Sequence, residues 1–420
     1  MNIYQDWGFR ESPFNTAALQ SDQNGASLLV GRDNEIAQIL RRLYNPPSSV
    51  TVEGLNGVGK TSLVNVALFT SLQMLYRKET NTLFIPCNKI FQILAESNIE
   101  DFLNALYLEV AQTLLKRADE LKDLGYTLPS SSASFEMVLN STDISFWQSK
   151  FGIEGFKNEI KAWLEQIFPT QGSGAVVCII DNLELLETSE QARRQLERLR
   201  DEIFNLNGIR WILCGSLGIV KSVASTPRLE GYLHKPVEVF SVERKHVKDL
   251  FERRVQYYSA NQAIPAYLPM SGNEFDFLYE VFNENLRNTI HYCDQYCLYV
   301  VDAGVKPEIK EEKTKLFFSW LQNEANTIMT SIEGKLGQRA LKFFQDIIEY
   351  GGIFSPSDFE KFKFNSFAAL RPHVLELERV ALLTSTIDET DNRRKTIQVT
   401  PKGFLASYAI SKDDSKKRIS

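Results

Sequence analysis

The eight residues GLNGVGKT at positions 54–61 match the phosphate-binding pattern G-x-x-x-x-G-K-[ST]. Glycines allow such a loop to adopt backbone angles closed to other residues and to bring its N–H groups close to phosphate oxygens. Lys60 can reach the β- and γ-phosphates, and the Thr61 hydroxyl can coordinate Mg²⁺. The β-prone run 49–53 precedes the loop and apolar residues at helical spacing follow it over 61–71, as strand–loop–helix geometry requires. The residues predicted to bind the nucleotide are Gly54, Asn56, Gly57, Val58, Gly59, Lys60, Thr61 and Ser62.

The length of 420 residues is too great for one hydrophobic core and predicts two or three domains. The content of 43% hydrophobic and 24% charged residues is that of an ordinary soluble globular protein. The longest strongly apolar stretch, residues 175–180, is too short to span a membrane, and the first residues lack a signal-peptide pattern. We therefore expect a cytoplasmic protein with no membrane partner.

Apolar runs alternate with helical patterns through the first 240 residues. The strand-like runs are 49–53, 82–86, 175–180, 210–214 and 237–240. Near-continuous apolar strands that alternate with helices form parallel sheets covered on both faces. We therefore predict an α/β core over residues 1–240, interrupted by a largely helical insertion at about 88–160.

A carboxylate stands where a magnesium site would need one, because Asp181 directly follows the apolar run 175–180. In phosphate-loop proteins, a carboxylate at the end of a neighbouring strand holds the water shell of Mg²⁺. The alternative is an acidic residue that only caps a strand end, but the phosphate loop upstream favours the functional role. We expect Thr61 and Asp181 to form the metal site.

Two cysteines, Cys293 and Cys297, lie close to His291 and raise the question of a second metal. A single C-x-x-x-C without a second ligand pair is more typical of the packed face of a helix. We expect no metal other than nucleotide-bound Mg²⁺.

The motifs taken together resemble a known family. Val30-Gly31-Arg32 with Glu35, the loop 54–61, Asp181 and Gly215-Ser216 resemble the AAA+/STAND branch of P-loop ATPases, including its origin-recognition-type and related bacterial members. The resemblance implies ATP or ADP as ligand, with Gly31 and Arg32 beside the adenine and Ser216 as sensor 1 near the γ-phosphate. It also implies a helical lid over residues 241–330, in which Asn285-Leu286-Arg287 resembles a sensor-2 motif. Arg228 is the candidate arginine finger for a neighbouring subunit, which would require self-association.

One position departs from the family pattern. The family usually has Asp-Glu where this chain has Asp181-Asn182, and the next carboxylate is Glu184. An Asn side chain can position a water molecule but cannot take its proton. Either Glu184 substitutes as the base, or hydrolysis is slow and the protein works mainly as a nucleotide-dependent switch. We expect slow hydrolysis.

The C-terminal residues 331–410 fit a winged helix, and 411–420 form a polar tail. Three helical segments over 336–378 precede two strand-like runs joined by a wing turn. Winged helices bind DNA through the third helix and the wing. The DNA-contact candidates are Arg371, His373, Arg393, Arg394 and Lys395.

The distribution of charge favours the C-terminal part for contact with a polyanion. Residues 331–420 carry 15 Lys and Arg against 12 Asp and Glu, whereas the other 330 residues carry 32 against 41. Glu376 and Glu378 on the third helix leave contact with protein as an alternative.

The architecture we expect is an α/β P-loop core, a helical lid and a C-terminal winged helix. The leading function is an ATPase that acts as a nucleotide-dependent assembly or switch protein on double-stranded DNA. The alternative is a STAND-like signalling or defence ATPase whose winged helix contacts protein and whose output lies on a partner chain. A metabolite or nucleoside kinase is a third class, against which the lid and the winged helix argue.

Overall fold

The computed structural model describes most of the chain in two compact units. The described residues are 2–46, 49–94, 97–128, 144–183, 189–200, 204, 206–216, 227–261, 263–388 and 393–417. One unit is Ala18–Phe240, and the other joins Met1–Ala17 to Ser241–Ser420.

The elements are numbered along the described chain. The strands are β1 (Ser49–Gly54), β2 (Leu83–Phe91), β3 (Gly174–Ile180), β4 (Ile209–Gly215), β5 (Val237–Val239), β6 (Ile353–Phe354), β7 (Leu383–Asp388) and β8 (Arg393–Val399). The helices are α1 (Ile3–Asp6), α2 (Gln23–Leu28), α3 (Asp33–Leu43), α4 (Lys60–Tyr76), α5 (Ile99–Lys116), α6 (Ala118–Asp123), α7 (Ile144–Ile167), α8 (Ser189–Leu199), α9 (Arg244–Tyr258), α10 (Gly272–Val281), α11 (Leu286–Asp302), α12 (Lys310–Ile332), α13 (Gln338–Glu349), α14 (Phe367–Arg379) and α15 (Pro401–Lys417). A 3₁₀ helix spans Pro356–Phe362.

A five-stranded parallel sheet forms the centre of the unit Ala18–Phe240. Its strand order is β2-β3-β4-β1-β5, which places the phosphate-loop strand β1 between β4 and β5. Strands β1, β3 and β4 are buried along their whole length. The expected α/β fold with a parallel sheet is therefore confirmed, and its reason is the one anticipated: strands covered on both faces are mostly apolar.

The two faces of the sheet have separate apolar cores. One core includes Leu63 and Leu68 of α4, and the other includes Leu106 of α5 and Trp163 of α7. Of the expected insertion at about 88–160, the first residues belong to β2, which runs to Phe91. The rest of its described part is α5, α6 and the start of α7. These helices cover one face of the sheet, and that is a structural role the sequence pattern did not reveal.

Residues 1–17 belong to the unit that contains Ser241–Ser420, whereas we expected them in the core domain. Tyr4 and Phe9 are buried, and the Tyr4 hydroxyl donates to Asp294 Oδ1 on α11 at 2.5 Å. The buried Arg254 of α9 donates to the carbonyls of Pro13 at 2.7 Å and Asn15 at 2.5 Å. Aromatic burial and these charge-assisted bonds explain why the N-terminal residues pack there.

The C-terminal residues form a small helical and antiparallel β arrangement, with the sheet order β6-β8-β7. Its core includes Phe343 and Phe344 of α13 and Leu370 and Leu377 of α14. The order of helices and strands is the one expected, and the winged-helix assignment itself stays a prediction. Within its expected wing turn, 388–394, residues 389–392 lie outside the described residues.

The helix α15 differs from the expected polar tail at 411–420, because its backbone stays helical to Lys417. Leu405, Ala406 and Ala409 on its first turns are buried, so packing of these residues supports the helix that the polar residues continue. Among the helices that the structure describes, none has the length and apolar character needed to cross a membrane.

Candidate nucleotide-binding site

The phosphate loop connects β1 to α4 with the backbone that its glycines permit. Gly57 and Gly59 have φ angles of +83° and +98°, in the left-handed region that favours glycine. A Cβ atom on Gly54 would lie 2.6 Å from the carbonyl oxygen of Val239, so the pairing of β1 with β5 also requires glycine here. The loop is therefore determined both by its own turn and by the neighbouring strand.

Lys60 is the first residue of α4, and its side chain folds back over the loop. Its Nζ donates to the carbonyl oxygens of Gly54 at 2.9 Å and Leu55 at 3.3 Å, and the residue is only 7% exposed. A buried ammonium group at the N-terminus of a helix, beside a turn of glycines, is an arrangement that binds phosphate.

Thr61 and Asp181 meet across the edge of the sheet. The Thr61 Oγ1 hydroxyl donates to Asp181 Oδ2 at 2.5 Å, and Asp181 is 6% exposed. The backbone N–H of Asp181 donates to the carbonyl of Phe91 at 2.9 Å, which extends the β2–β3 pairing to the site. A hydroxyl oxygen and a carboxylate oxygen in contact fit the oxygen ligands that Mg²⁺ prefers, so these two residues would hold the metal.

Asn182 has an unusual backbone conformation for a residue other than glycine. Its φ angle is +58°, and its N–H donates to Asp181 Oδ1 at 2.8 Å. Both carboxylate oxygens of Asp181 therefore accept a hydrogen bond, one from Thr61 and one from Asn182. Glu184, the other candidate for activating water, lies outside the described residues.

Arg32 makes a contact that the sequence did not predict. We expected Gly31 and Arg32 beside the adenine. The Arg32 side chain is 4% exposed, and its guanidinium donates to Glu35 Oε1 at 2.8 Å and to the carbonyl of Val58, inside the phosphate loop, at 3.2 Å. Gly31 has a φ of +68°, which turns the chain toward α3. The arginine thus fastens the start of α3 to the loop.

Ser62 and Asn65 on α4 bind the backbone of Leu19 from both sides. The Leu19 N–H donates to Ser62 Oγ at 3.0 Å, and Asn65 Nδ2 donates to the Leu19 carbonyl at 2.7 Å. Ser62 was expected to bind nucleotide; its hydroxyl oxygen accepts this hydrogen bond, and its role toward nucleotide stays a prediction. No sequence signal predicts these two hydrogen bonds, because Ser62 lies 43 residues from Leu19 and binds only its backbone.

The remaining predicted catalytic residues lie in different places. Ser216 directly follows β4, at the same sheet edge as the phosphate loop and Asp181. Arg228 forms an ion pair with Glu197 Oε2 at 3.2 Å while its side chain stays 58% exposed. Arg287 is exposed in the first turn of α11, in the unit that contains Ser241–Ser420. The sensor and finger roles of these residues stay predictions.

The DNA-contact candidates on α14 have unequal surroundings. Arg371 is exposed. The His373 ring packs against Phe364 with centroids 5.6 Å apart, and its Nδ1 lies 3.9 Å from Glu376 Oε2. Glu376 Oε1 also accepts the N–H of Gly337 at 2.5 Å. Arg393, Arg394 and Lys395 begin β8, but their side chains lie outside the described residues.

The five cysteines are free and buried. Burial raises the pKa of the Cys293 and Cys297 thiols, as expected for thiols in a core. Within the described ranges, no group of three or more His, Cys, Asp or Glu side chains is arranged to hold a metal ion.

The comparison with family sequences decides the family. A sequence model described as Novel STAND NTPase 1 matches residues 18–258, which comprise the unit Ala18–Phe240 and reach the last residue of α9. The chain belongs to the Novel STAND NTPase 1 family. The expected STAND-type P-loop assignment is thereby confirmed for this NTPase. No curated protein matches the chain in sequence.

Several solved structures are similar to this STAND NTPase along most of its length. The ORC2 protein of Aeropyrum pernix, in ADPNP–ADP complexes, is 13% identical, with coverage of 97% and 98% of the two chains and a TM-score of 0.46. The ORC1 protein of the same organism, in complex with DNA, is 11% identical with a TM-score of 0.43 and coverage of 95% and 98%. A Walker-type ATPase of Pyrococcus abyssi is 14% identical with a TM-score of 0.46 and coverage of 94% and 99%.

Proposed function

We propose that this STAND NTPase binds ATP with Mg²⁺, hydrolyses it slowly and acts as a nucleotide-dependent switch whose winged helix contacts DNA. The observation that carries the nucleotide part is the 2.5 Å hydrogen bond between Thr61 and Asp181, beside the buried ammonium of Lys60. Three groups that ATP and Mg²⁺ require are thus assembled at one edge of the sheet, although Asp181 lies 120 residues from Thr61.

Each group has a distinct task in this proposal. The Mg²⁺ ion, when bound, neutralises phosphate charge. Lys60 offers a fixed positive charge, and the loop glycines let backbone N–H groups approach the phosphate oxygens. Asn182 can donate a hydrogen bond to an attacking water, but its amide cannot remove the proton. Slow hydrolysis follows from that chemistry, and a long-lived ATP state suits a switch.

The nucleotide part can be tested by equilibrium binding of a fluorescent ATP analogue to the full chain. We expect binding that requires Lys60 and is strengthened by Mg²⁺, together with a turnover much slower than nucleotide release. Absence of binding at millimolar nucleotide would contradict the proposal.

The DNA part is supported by charge and by exposure in the C-terminal residues. The excess of basic over acidic residues lies in 331–420, and Arg371 is exposed on α14. The similar ORC1 protein of Aeropyrum pernix was solved in complex with DNA, which is a reason to test binding of duplex DNA.

Contact with a protein is the second candidate for the winged helix, and two observations favour it. His373 is packed against Phe364 and is not free on the surface, and Glu376 places a carboxylate on the same helix. In this candidate the protein is a signalling switch whose output lies on a partner chain.

One measurement separates these two outputs. The mass of the full chain is determined by light scattering with and without ATP, and with and without a 30–40 base-pair duplex (about three to four helical turns). Formation of an ATP-dependent complex with duplex supports the DNA role. If the chain binds ATP but does not bind duplex at low salt, contact with protein becomes the proposed role of the winged helix.

A further inference from the structure

A cavity lies at the opposite edge of the sheet from the phosphate loop. It has a volume of about 300 Å³ and is formed by the residues that lead into β3 and β4. Strand β3 separates it from Asp181, and seven residues at about 3.3 Å each span roughly 20 Å. The cavity is therefore distinct from the candidate nucleotide site.

The cavity contains a buried cation with an unused donor. Arg210 is 6% exposed, and its Nη2 donates to the carbonyl of Gln171 at 3.3 Å. Its Nη1 is buried and has no hydrogen-bond partner, and Arg210 forms no ion pair with any residue in the described part of the chain. A buried guanidinium without a counter-charge is unfavourable, so this arrangement calls for an anion.

Other polar side chains in this region already have partners. Asn207 Nδ2 donates to the carbonyl of Phe168 at 2.9 Å, and the hydroxyls of Thr170 and Ser173 are 2.8 Å apart. The wall at Gly208 is closely packed, because a Cβ there would lie 2.9 Å from the Cβ of Leu164. Arg210 thus keeps one unpaired donor beside a formed cavity.

We infer that this cavity is a binding site for a small aliphatic monocarboxylate, held by the Arg210 guanidinium. The planar fork of a guanidinium matches a carboxylate. Arg210 is the one charged residue among the described residues that line the cavity, so a single negative charge balances it. The apolar wall, to which Leu206 offers a partly exposed side chain, suits a short hydrocarbon group, and about 300 Å³ lies at the small end of ligand cavities. Burial lowers the pKa of the Arg210 guanidinium, which agrees with a cation that lacks a counter-charge.

The test measures binding of acetate and propionate to the full chain, by calorimetry and by thermal unfolding, at constant ionic strength maintained with chloride. We expect the melting temperature of the wild type to rise with either carboxylate, with the larger rise for propionate because its methyl group reaches the apolar wall. Inorganic phosphate is the comparison anion.

Two variants connect the response to Arg210. Arg210→Met removes the charge at similar volume and should weaken carboxylate binding by about tenfold or more, the range of a charge-assisted hydrogen bond. Gln171→Glu introduces a carboxylate at the cavity wall, where it can pair with Arg210, and should abolish the response to added carboxylate. Gln256→Glu, an equal charge change at an exposed position of α9, should respond as the wild type does.

Three outcomes would overturn the inference. They are a wild type that acetate and propionate leave unchanged, an Arg210→Met or Gln171→Glu protein that still responds as the wild type does, and a response to phosphate that exceeds both carboxylate responses and is lost in Arg210→Met. If Arg210→Met fails to fold, the exposed substitution Gln171→Glu still decides the matter. Nucleotide binding is measured in the same samples, and it should be unaffected because the two sites lie at opposite edges of the sheet.

Discussion

The guanidinium of Arg32 donates to the carbonyl of Val58 at 3.2 Å and to the carboxylate of Glu35 at 2.8 Å. The first contact ends inside the phosphate loop, and the second joins the first turn of α3. A buried arginine with both partners satisfied holds the loop against that helix. We infer that Arg32 acts on the nucleotide by positioning the loop.

Replacing Arg32 should loosen this arrangement. Arg32→Met leaves the Val58 carbonyl and the Glu35 carboxylate without their partner, so the free energy of unfolding should fall by about 1–3 kcal/mol. ATP affinity should fall as well, because the loop is no longer held. Both quantities are measured by denaturant unfolding and nucleotide titration, with Arg41→Met on the exposed face of α3 as control. Weaker ATP binding with unchanged stability would indicate direct contact with nucleotide instead.

Lys60 should be required for nucleotide binding and dispensable for folding. Lys60→Ala removes a charge-assisted contact to phosphate without removing an apolar core group, so ATP binding should be lost and the circular dichroism spectrum kept. Lys122→Ala, at an exposed position of α6, is the matched control and should bind ATP normally. Unchanged ATP affinity in Lys60→Ala would refute the site.

Asn182 should limit the rate of hydrolysis. Asn182→Glu supplies a base and should raise kcat by about tenfold or more, within the usual range for general-base catalysis. The φ of +58° disfavours Glu, so stability should fall by about 1 kcal/mol. Asn182→Gly relieves the backbone strain without adding a base, and should keep the slow rate. If Glu184→Ala abolishes a rapid wild-type turnover, Glu184 is the working base and the slow-switch hypothesis is wrong.

The wing residues should determine the salt dependence of DNA binding. Each lost phosphate contact reduces the slope of log affinity against log salt by about one unit. Changing Arg393, Arg394 and Lys395 to Ala should therefore weaken duplex binding and reduce the slope by up to about three, while ATP binding is kept. A control with Lys78, Lys116 and Lys122 changed to Ala removes the same charge from exposed positions of the other unit. If both variants lose duplex affinity equally, the chain attracts DNA through its overall charge and not through the wing.

Arg254 should anchor the N-terminal residues. Its guanidinium is buried and donates to the carbonyls of Pro13 and Asn15, so Arg254→Met leaves two acceptors unsatisfied and should lower the free energy of unfolding by about 2–4 kcal/mol. Residues 1–17 should then become sensitive to limited proteolysis. Arg253→Met, at the preceding position, removes a half-exposed side chain that pairs with Asp249 and should change stability by less than about 1 kcal/mol. Equal protease sensitivity in both variants would contradict the anchor.

Local sequence patterns predicted most of the architecture. The glycine spacing of 54–61, the apolar runs and the position of Asp181 led to the parallel sheet and to the pairing of Thr61 with Asp181. They could do so because strand burial and loop conformation depend mainly on residue type and near neighbours, and because parallel strands end at a common edge. The spacing at the C-terminus likewise matched the helices and strands of residues 338–399, but the polar residues after Ser411 concealed the continuation of α15.

By itself, the sequence determined that this chain is a P-loop NTPase with an Asn after the strand-end Asp, since those features are contiguous in the chain. Only the tertiary structure decided that Arg32 binds the loop, that Ser62 holds Leu19, that residues 1–17 join the unit of Ser241–Ser420, and that Arg210 lies buried with a free donor. The contacts of Arg32, Ser62 and Arg254 depend on which backbone carbonyl or amide lies beside a side chain after folding. Backbone groups are the same at every residue, so no pattern of side chains along the chain records that information.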